Sequence, residues 1–529
     1  RAVEDWQSAF EAAGFKHAIV ARDAPSAQED PDWDPEDARY SVIRWVPSTR
    51  QKALGPSLVD PRSGEVVSSH IVLWHDVLRL VETWYFTHAA ALDPRAANLP
   101  LDDDLMGELL RYVVSHELGH TLGLRHNFKA ASAYSVEQLR DPAWTKKWGT
   151  SASIMSYARI NYVAQPGDGA ALLPRFGPYD FFAIHWGYHP LPGMTGEWAE
   201  LDRLAARQTE EPMLRFGGED EAADIDPSVT THVLGSDPVV AADLGLRNVD
   251  RTMELLVPAS TRLGRDYTRL GELYEALVTH RHRQLEAVAR LVGGVEETRH
   301  QAGRGGAPFA PVDPIRARAA VRFIAERAFA KPGPLLDRGV LRRVSPEGWL
   351  DPLQGSNIKL LERLLDPAVF QRLAEATTWA SPYSGYMKTP PPYQGSDLLR
   401  DLSEHLFEEL GQPRVEIGFY RRELQRNYIH LLVSDKESEP EGRRMPSKDA
   451  WPGIPSRDAM VPLPAFNSEL AEASKELRSA KDRPSEFRSA ARGAALDLSK
   501  RIEAAIPKAR DRVTALHLSD LHKRLMRDR

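Results

Sequence analysis

Apolar side chains recur at helical spacing between residues 105 and 118, and this is the most regular pattern in the chain. The positions lie three or four residues apart, as on one face of an α-helix: Met106, Leu109, Leu110, Val113, Val114 and Leu118. Three aspartates at 102–104 precede them and suit a helix N-terminus. Gly123 follows where a helix of about 20 residues would end. We therefore predict one long helix that ends near Gly123.

The residues before this helix show mixed patterns. Helical spacing over 6–13 and 77–89 predicts two further helices. Tyr40–Val46 is rich in β-branched and aromatic residues, which favours a strand. Ser57–Asp60 and Glu65–Leu73 flank a turn that contains proline and glycine, and they predict a β-hairpin.

Beyond Pro190 the pattern becomes mostly helical. Clear examples are Leu270–Leu291, Ile315–Phe329 and Leu398–Leu410. Residues 434–466 contain six prolines and many charges, which is typical of a long loop or linker. We predict an α+β protein: a first domain over 1–190, a mostly helical region over 191–433 that packs on it, a linker over 434–466, and a helical C-terminal segment over 467–529.

Composition narrows the class of protein. Of the 529 residues, 42% are hydrophobic and 27% charged, which excludes a wholly disordered or fibrous chain. Charges interrupt every apolar stretch before the length of about 18 residues that a membrane span needs. The net charge of −7 argues against a generic nucleic-acid binder. The chain has no cysteine, so disulfides, thiolate zinc sites and cysteine nucleophiles are excluded.

The start of the chain bears on its processing. It begins with Arg1 instead of Met, and it shows no signal peptide. We therefore expect that a targeting segment was removed or precedes this sequence.

The predicted long helix carries the residues of a metal site. His116, Glu117 and His120 form an HExxH motif, and positions i and i+4 share one helix face. Gly123 permits a positive φ, so the chain can turn and bring His126 round as a third ligand. Three neutral imidazoles suit Zn²⁺ and leave a fourth position for water, as in catalytic sites. Glu117 would reach that water as a general base.

Two simpler explanations compete with this one. The three histidines could be unrelated surface or core residues, but HExxH followed by glycine and histidine at these offsets is rare by chance. A purely structural zinc site would normally have four protein ligands and use cysteine, which this chain lacks.

A second element, Ser153–Tyr157, follows downstream. Alone, Met155 would be interpreted as a core residue that fills a gap. After HExxHxxGxxH, a methionine turn completes the metzincin signature, in which the methionine forms an apolar floor beneath the metal site. Tyr157 resembles the tyrosine of the astacin and serralysin metzincins, which ligates zinc at rest and can swing to hydrogen-bond the developing oxyanion. The alternative for Tyr157 is a packing role.

Longer strings resemble one family, the bacterial met-zincin domain of large zinc metallopeptidases. The strings are HELGHTLGLRHNFKA (His116–Ala130), SIMSYARINYVAQPGD (Ser153–Asp168), GPYDFFAIHWGY (Gly177–Tyr188), AFEAAGFKHAI (Ala9–Ile19) and DLGLRNVDRTM (Asp243–Met253). The resemblance is strong over about residues 1–190 and weakest after about 430. Asn127, after the third histidine, differs from the better-known metzincins, so their substrate preferences are not transferred.

The resemblance implies a metzincin-like catalytic domain with a twisted sheet and an active-site helix. It also implies an exported location, which is periplasmic, cell-surface or secreted. Family members usually carry an upstream region and an export signal, so we expect this sequence to be a fragment. Metzincins bind substrate along an edge strand, and Glu65–Leu73 is the candidate here, although it could equally be an ordinary edge strand.

These observations predict a zinc-dependent metalloendopeptidase that acts on a protein or peptide. In this hypothesis His116, His120 and His126 bind Zn²⁺, Glu117 is the general base and Tyr157 assists. An aminopeptidase or carboxypeptidase stays open. The alternative outside the enzyme class is a catalytically silent or latent zinc-binding scaffold that recognises a protein partner.

Two other groups of residues contain possible metal ligands. The acidic stretch Gly217–Asp226 lacks the regular ligand spacing of a calcium loop, so we predict a solvated acidic loop. His70, His75 and His88 could form a second metal site, but surface or packing roles are favoured.

Overall fold

The computed structural model describes residues 1–529 except 52, 56, 191–195, 220–224, 304, 331, 349, 380–391, 434–484 and 528–529. The chain divides into two compact units, residues 1–360 and 361–529. The predicted linker 434–466 lies outside the described residues. The predicted domain boundary at residue 190 stays a prediction.

The first unit contains a small sheet near its N-terminal end. Its strands are β1 (Val42–Val46), β2 (Ala53–Leu54), β3 (Ser57–Val59) and β4 (Val66–Trp74). β1 pairs parallel with β4, with Val42 opposite His70. On the other side of β4, β2 and β3 pair antiparallel, with Ala53 opposite Leu73 and Ser57 opposite Ser69, and the register shifts between Leu58 and Val59. The predicted hairpin is confirmed as β3 and β4.

The position of β4 corrects one prediction. Glu65–Leu73 was the candidate edge strand for substrate, but β4 has neighbours on both sides and is central. The chain between 53 and 59 folds back beside β4 and occupies that side of the sheet. Gly55 in this segment lies against the long helix, because a Cβ there would be 2.5 Å from the carbonyl oxygen of Glu117.

Helices make up most of the regular secondary structure of the first unit. They are α1 (Ala2–Asp5), α2 (Gln7–Ala12), α3 (Val77–Ala89), α4 (Asp103–Thr121), α5 (Val136–Arg140), α6 (Pro142–Trp148), α7 (Pro178–Tyr188), α8 (Glu197–Ala206), α9 (Pro238–Ser260), α10 (Thr268–Ala289), α11 (Pro314–Ile324), α12 (Arg338–Val344) and α13 (Asp351–Leu364), which runs just past residue 360. A short two-stranded ribbon joins β5 (Val295–Glu297) to β6 (Phe309–Pro311). The structure is helix-rich with small sheets, which is compatible with the predicted α+β class.

The predicted long helix is α4, which has 19 residues. Asp102 caps it, because its side chain accepts a hydrogen bond from the backbone N–H of Leu105 at 2.8 Å. Asp103 and Asp104 lie in the first turn, where negative charge favours the helix dipole. The fully buried Trp6 backs the other end, and its indole N–H donates to the carbonyl of Ser115 at 3.0 Å. The aspartates stabilise the first turn of α4, and the Trp6 contact holds the helix against the N-terminal segment.

The second unit is helical where it is described. Its helices are α14 (Pro367–Trp379), α15 (Gly395–Leu406), α16 (Phe419–Val433), α17 (Ser485–Ala505) and α18 (Arg512–Arg527). Phe370 and Phe487 meet edge to face at 4.6 Å in its core. No described helix in either unit has both the length and the apolar character required to cross a bilayer.

Candidate metal centre

Three histidines converge at the end of α4. His116 and His120 lie one turn apart on the helix, and their ring centroids are 4.9 Å apart. Gly123 adopts φ +87°, and the chain then turns so that His126 comes within 4.5 Å of the His120 ring. One ring nitrogen from each histidine lies within 4.8 Å of the others, and together they could hold a metal ion. Among the described residues, they form the only such group of three.

Each imidazole is oriented through its Nδ1 atom. The Nδ1 of His116 lies 2.8 Å from the carbonyl oxygen of Ile154, and the Nδ1 of His120 lies 2.9 Å from that of Leu124. A carbonyl oxygen only accepts, so both rings carry their proton on Nδ1. The Nε2 atom of each ring therefore presents its lone pair to the cluster.

The third ring is oriented by a carboxylate. The Nδ1 of His126 lies 2.6 Å from Oε1 of Glu219, which is 93 residues away in the sequence. Carboxylates and carbonyls in this position fix the tautomer of metal-binding histidines and raise their basicity. The sequence analysis missed Glu219, since no local pattern links it to His126.

The free nitrogens fit a metal ion. The Nε2 of His116 is buried and has no hydrogen-bond partner among the described residues. The Nε2 atoms of His120 and His126 lie 3.1 Å apart, although both rings hold their proton at Nδ1. Lone pairs that face each other repel, and a shared cation removes that repulsion. The donor set, three neutral imidazole nitrogens, is one that Zn²⁺ accepts.

Burial keeps these rings neutral. Burial, together with the neighbouring His120, lowers the pKa of His116 to about 3. Burial also lowers the pKa of His120 and of His126, although the Glu219 carboxylate opposes the shift at His126. At neutral pH the three nitrogens are therefore unprotonated, as metal ligands must be.

The methionine turn packs directly on α4. Met155 is fully buried, and a Cβ on Gly119 would lie 2.2 Å from its sulfur. Only glycine at position 119 permits this approach, since 2.2 Å is far shorter than any van der Waals contact. The carbonyl of Met155 accepts a hydrogen bond from the backbone N–H of Asn127 at 3.1 Å, which ties the turn to the segment after the third histidine.

Asp180 on α7 holds the same turn from behind. Its buried carboxylate accepts hydrogen bonds from the Ser153 hydroxyl at 2.6 Å, the Ile154 N–H at 2.9 Å and the Gly177 N–H at 2.8 Å. Burial raises the pKa of Asp180 to about 7, and these three bonds oppose the shift. Because the carbonyl of Ile154 orients His116, Asp180 supports the metal centre through one residue, Ile154.

Asn127 joins the third histidine to the acidic stretch. Its fully buried amide donates to the carbonyl of Arg215 at 2.9 Å and accepts from the N–H of Gly217 at 3.1 Å. Two residues later, Lys129 donates to the carboxylate of Asp226 at 2.6 Å. The Asn127 contacts bring the start of the acidic stretch beside His126, and the Lys129 contact fixes its end.

The prediction of a solvated acidic loop is wrong at Asp226, whereas Glu219 keeps 57% of its side chain exposed. Glu219 contacts a histidine of the cluster, and Asp226 is only 1% exposed because it pairs with the buried Lys129. Residues 220–224 of this stretch lie outside the described part of the chain.

Tyr157 lies beside the cluster. Its ring is 4.3 Å from that of His126 and 5.5 Å from that of His116. Burial raises the pKa of Tyr157 to about 12, and the Glu117 carboxylate adds to this effect, which places Glu117 within electrostatic reach of the phenol. The phenol is therefore protonated at neutral pH and can donate a hydrogen bond.

Two histidines on α4 and a third after the turn at Gly123, with anchored rings, form a group that could hold a metal ion through imidazole nitrogens. The model of the Met-zincin family matches residues 98–414, which is more than half of the chain. The chain therefore belongs to the Met-zincin family, which implies a zinc metallopeptidase, and the resemblance found in the sequence is confirmed. No curated protein and no solved structure matches the chain significantly.

Proposed function

We propose that this protein is a zinc-dependent endopeptidase in which His116, His120 and His126 bind the metal. The observation that carries the proposal is the convergence of three Nε2 atoms whose rings are fixed through Nδ1. A scaffold that had lost catalysis would not need to keep Glu117 in the HExxH motif and a protonated Tyr157 beside the same cluster.

The residues around the cluster supply proton transfer and charge stabilisation. When bound, a zinc ion lowers the pKa of water toward about 7 and polarises a substrate carbonyl. Glu117 accepts the proton of the attacking water and passes it to the amide nitrogen as the C–N bond breaks. Tyr157 donates its phenolic proton in a hydrogen bond to the oxyanion that develops on the carbonyl oxygen.

A test with blocked peptides distinguishes the candidate activities. The zinc-loaded protein is incubated with a peptide mixture whose members are N-acetylated and C-amidated, and products are identified by mass spectrometry. An endopeptidase cleaves these peptides internally, and the cleavage stops when a chelator removes zinc. Cleavage only of peptides with a free terminus would indicate an exopeptidase. No cleavage of either set would favour the latent or silent scaffold.

The exported location of the protein stays a prediction from the family resemblance.

Replacing Tyr157 with phenylalanine is expected to lower kcat by about 100-fold while KM changes little. The hydroxyl is the only atom removed, and its proposed bond forms mainly in the transition state. Steady-state kinetics on one blocked peptide measure both constants. A rise in KM with unchanged kcat would show that Tyr157 only packs against the substrate.

Replacing Glu219 with glutamine is expected to weaken zinc binding by about 10- to 100-fold. Glutamine keeps the size of the side chain but loses the charge that makes the His126 ring more basic. Competition with a chromophoric chelator measures the affinity. Glu210→Gln, which neutralises an exposed glutamate in the preceding turn, serves as the control. Equal affinities in the two variants would remove Glu219 from the site.

A further inference from the structure

Two residues beside Tyr157 have an unusual backbone conformation. Among the described residues, three that are not glycine have a positive φ, and two of these are Arg159 at 58° and His232 at 63°. The third is His17, near the start of the chain. Residues held in this region persist only where surrounding contacts enforce it, and they cluster at functional sites.

The two residues contact each other and Tyr157. The Nε of Arg159 donates to the Nδ1 of His232. The backbone N–H of His232 donates to the carbonyl of Tyr157 at 2.9 Å. The imidazole of His232 stacks on the Tyr157 ring, with the ring centroids 5.6 Å apart and an interplanar angle of 15°. Both strained positions therefore place their side chains around the proposed oxyanion donor.

Among the described residues, Arg159 has no anionic partner. Its guanidinium lies over the Trp84 ring, with the Cζ atom 3.3 Å from the ring centroid. Its Nη1 is buried without a hydrogen-bond partner, and no carboxylate of the described residues forms an ion pair with it. The groups that affect the pKa of Arg159 after burial are Tyr112, Tyr157 and a second cation, Arg283. A partly buried cation whose Nη1 is enclosed without a partner is costly, so an anionic ligand would stabilise this arrangement.

The two side chains can bind one carboxylate together. Because the Nδ1 of His232 accepts from Arg159, the proton of His232 lies on its Nε2. This Nε2 is 3.5 Å from the Nη2 of Arg159, so two N–H donors lie side by side. A carboxylate accepts two such bonds at once, and charge-assisted bonds of this kind are among the strongest in proteins.

The subsite lies next to the metal centre. The Cζ of Arg159 is 5.7 Å from the centroid of the Tyr157 ring, and that ring is 4.3 Å from the ring of His126. The Tyr157 ring is therefore a neighbour of both the guanidinium and a histidine of the cluster. A substrate advances about 3.3 Å per extended residue, so a group one or two residues from the cleaved bond would reach it.

We propose that Arg159 and His232 form a carboxylate-binding subsite, and that the preferred substrate carries a carboxylate within two residues of the cleaved bond. This inference rests on the proposed peptidase function. The carboxylate comes either from an aspartate or glutamate side chain or from a free C-terminus. The chemistry at Arg159 is the same in both cases.

Matched peptides test the proposal and separate the two sources. Blocked peptides with Glu or Gln at each of the two positions on either side of the cleaved bond are compared in kcat/KM, along with one Gln peptide whose C-terminus is free. We expect a Glu-over-Gln ratio of at least tenfold at one position if the source is a side chain. A tenfold preference for the free terminus alone identifies the terminal carboxylate. Equal rates for all three types overturn the proposal.

Two variants assign the preference to this subsite. In Arg159→Gln the ratio should fall to about one, while Arg159→Lys, which keeps the charge, should retain part of it. Arg125→Gln removes an exposed positive charge one residue from His126 and should keep the wild-type ratio. A full preference in Arg159→Gln would refute the assignment.

A binding measurement separates this proposal from the peptidase function. Calorimetry with the Glu117→Gln protein compares the Kd of the same Glu, Gln and free-terminus peptides. At least tenfold tighter binding of one carboxylate peptide supports the subsite even if no peptide is cleaved by wild type. Equal Kd values reject the subsite, whether or not the wild type is a peptidase.

Discussion

Replacing Glu117 with glutamine is expected to reduce kcat by at least about 1000-fold and to leave zinc binding unchanged. A positioned general base contributes roughly 100- to 10,000-fold to a proton transfer. Glu117 is proposed to act twice, on the water and on the leaving amine, so the upper part of this range applies. Glutamine has the same shape and keeps the backbone of α4, but it cannot accept the proton.

The design needs zinc content and turnover from the same sample. Metal analysis should give one zinc per chain for both wild type and Glu117→Gln, while only the wild type cleaves a blocked peptide. Glu108→Gln is the matched control, because Glu108 lies on the same helix with half of its side chain exposed. Turnover within tenfold of wild type in Glu117→Gln would remove Glu117 as the base.

Local features of the metal centre could be predicted from the sequence. Helix α4 follows from a period of three to four residues, and its two histidines share a face because they are four residues apart. The turn at Gly123 follows from the need for a positive φ before His126. Each of these inferences concerns residues that are close together in the chain, where backbone geometry alone fixes the relation.

The partners of the imidazoles could not be predicted in the same way. Ile154 and Glu219 lie 38 and 93 residues from the histidines that they orient. Contacts at such separations depend on how the elements pack, and no pattern of hydrophobic residues specifies one carbonyl or carboxylate. The sequence around Asp180 does carry a local pattern, since Pro178 and Asp180 are typical of a helix N-terminus. That pattern predicts the start of α7, but it does not predict that the Asp180 carboxylate binds the methionine turn.

The sheet shows the same limit. The hairpin was predictable because its turn carries proline and glycine between two alternating segments. The order of strands was not, since the parallel pairing of β1 with β4 joins strands that are separated by β2 and β3 in the sequence. As a result the interpretation of Glu65–Leu73 as an edge strand was wrong, although the strand itself was correct.

Replacing His120 with alanine is expected to abolish stable zinc binding and, with it, all hydrolysis. Losing a partner of a metal ligand already costs about 10- to 100-fold in affinity, and losing the ligand itself leaves only two imidazoles. Wild type should be stabilised by zinc, by about 2.7 kcal/mol when free zinc is 100 times Kd, because the metal binds the folded state. The variant should show no such shift.

This comparison tests the metal centre without reference to activity. Thermal unfolding of wild type and His120→Ala is measured with and without zinc, alongside metal analysis after gel filtration. His185→Ala serves as the control, because His185 on α7 lies outside the three-histidine group and its loss should leave the zinc-dependent shift intact. If His120→Ala kept one zinc per chain and the full thermal shift, the ion would be bound elsewhere. The three histidines at the end of α4 would then not be the zinc ligands, and the peptidase proposal would be wrong.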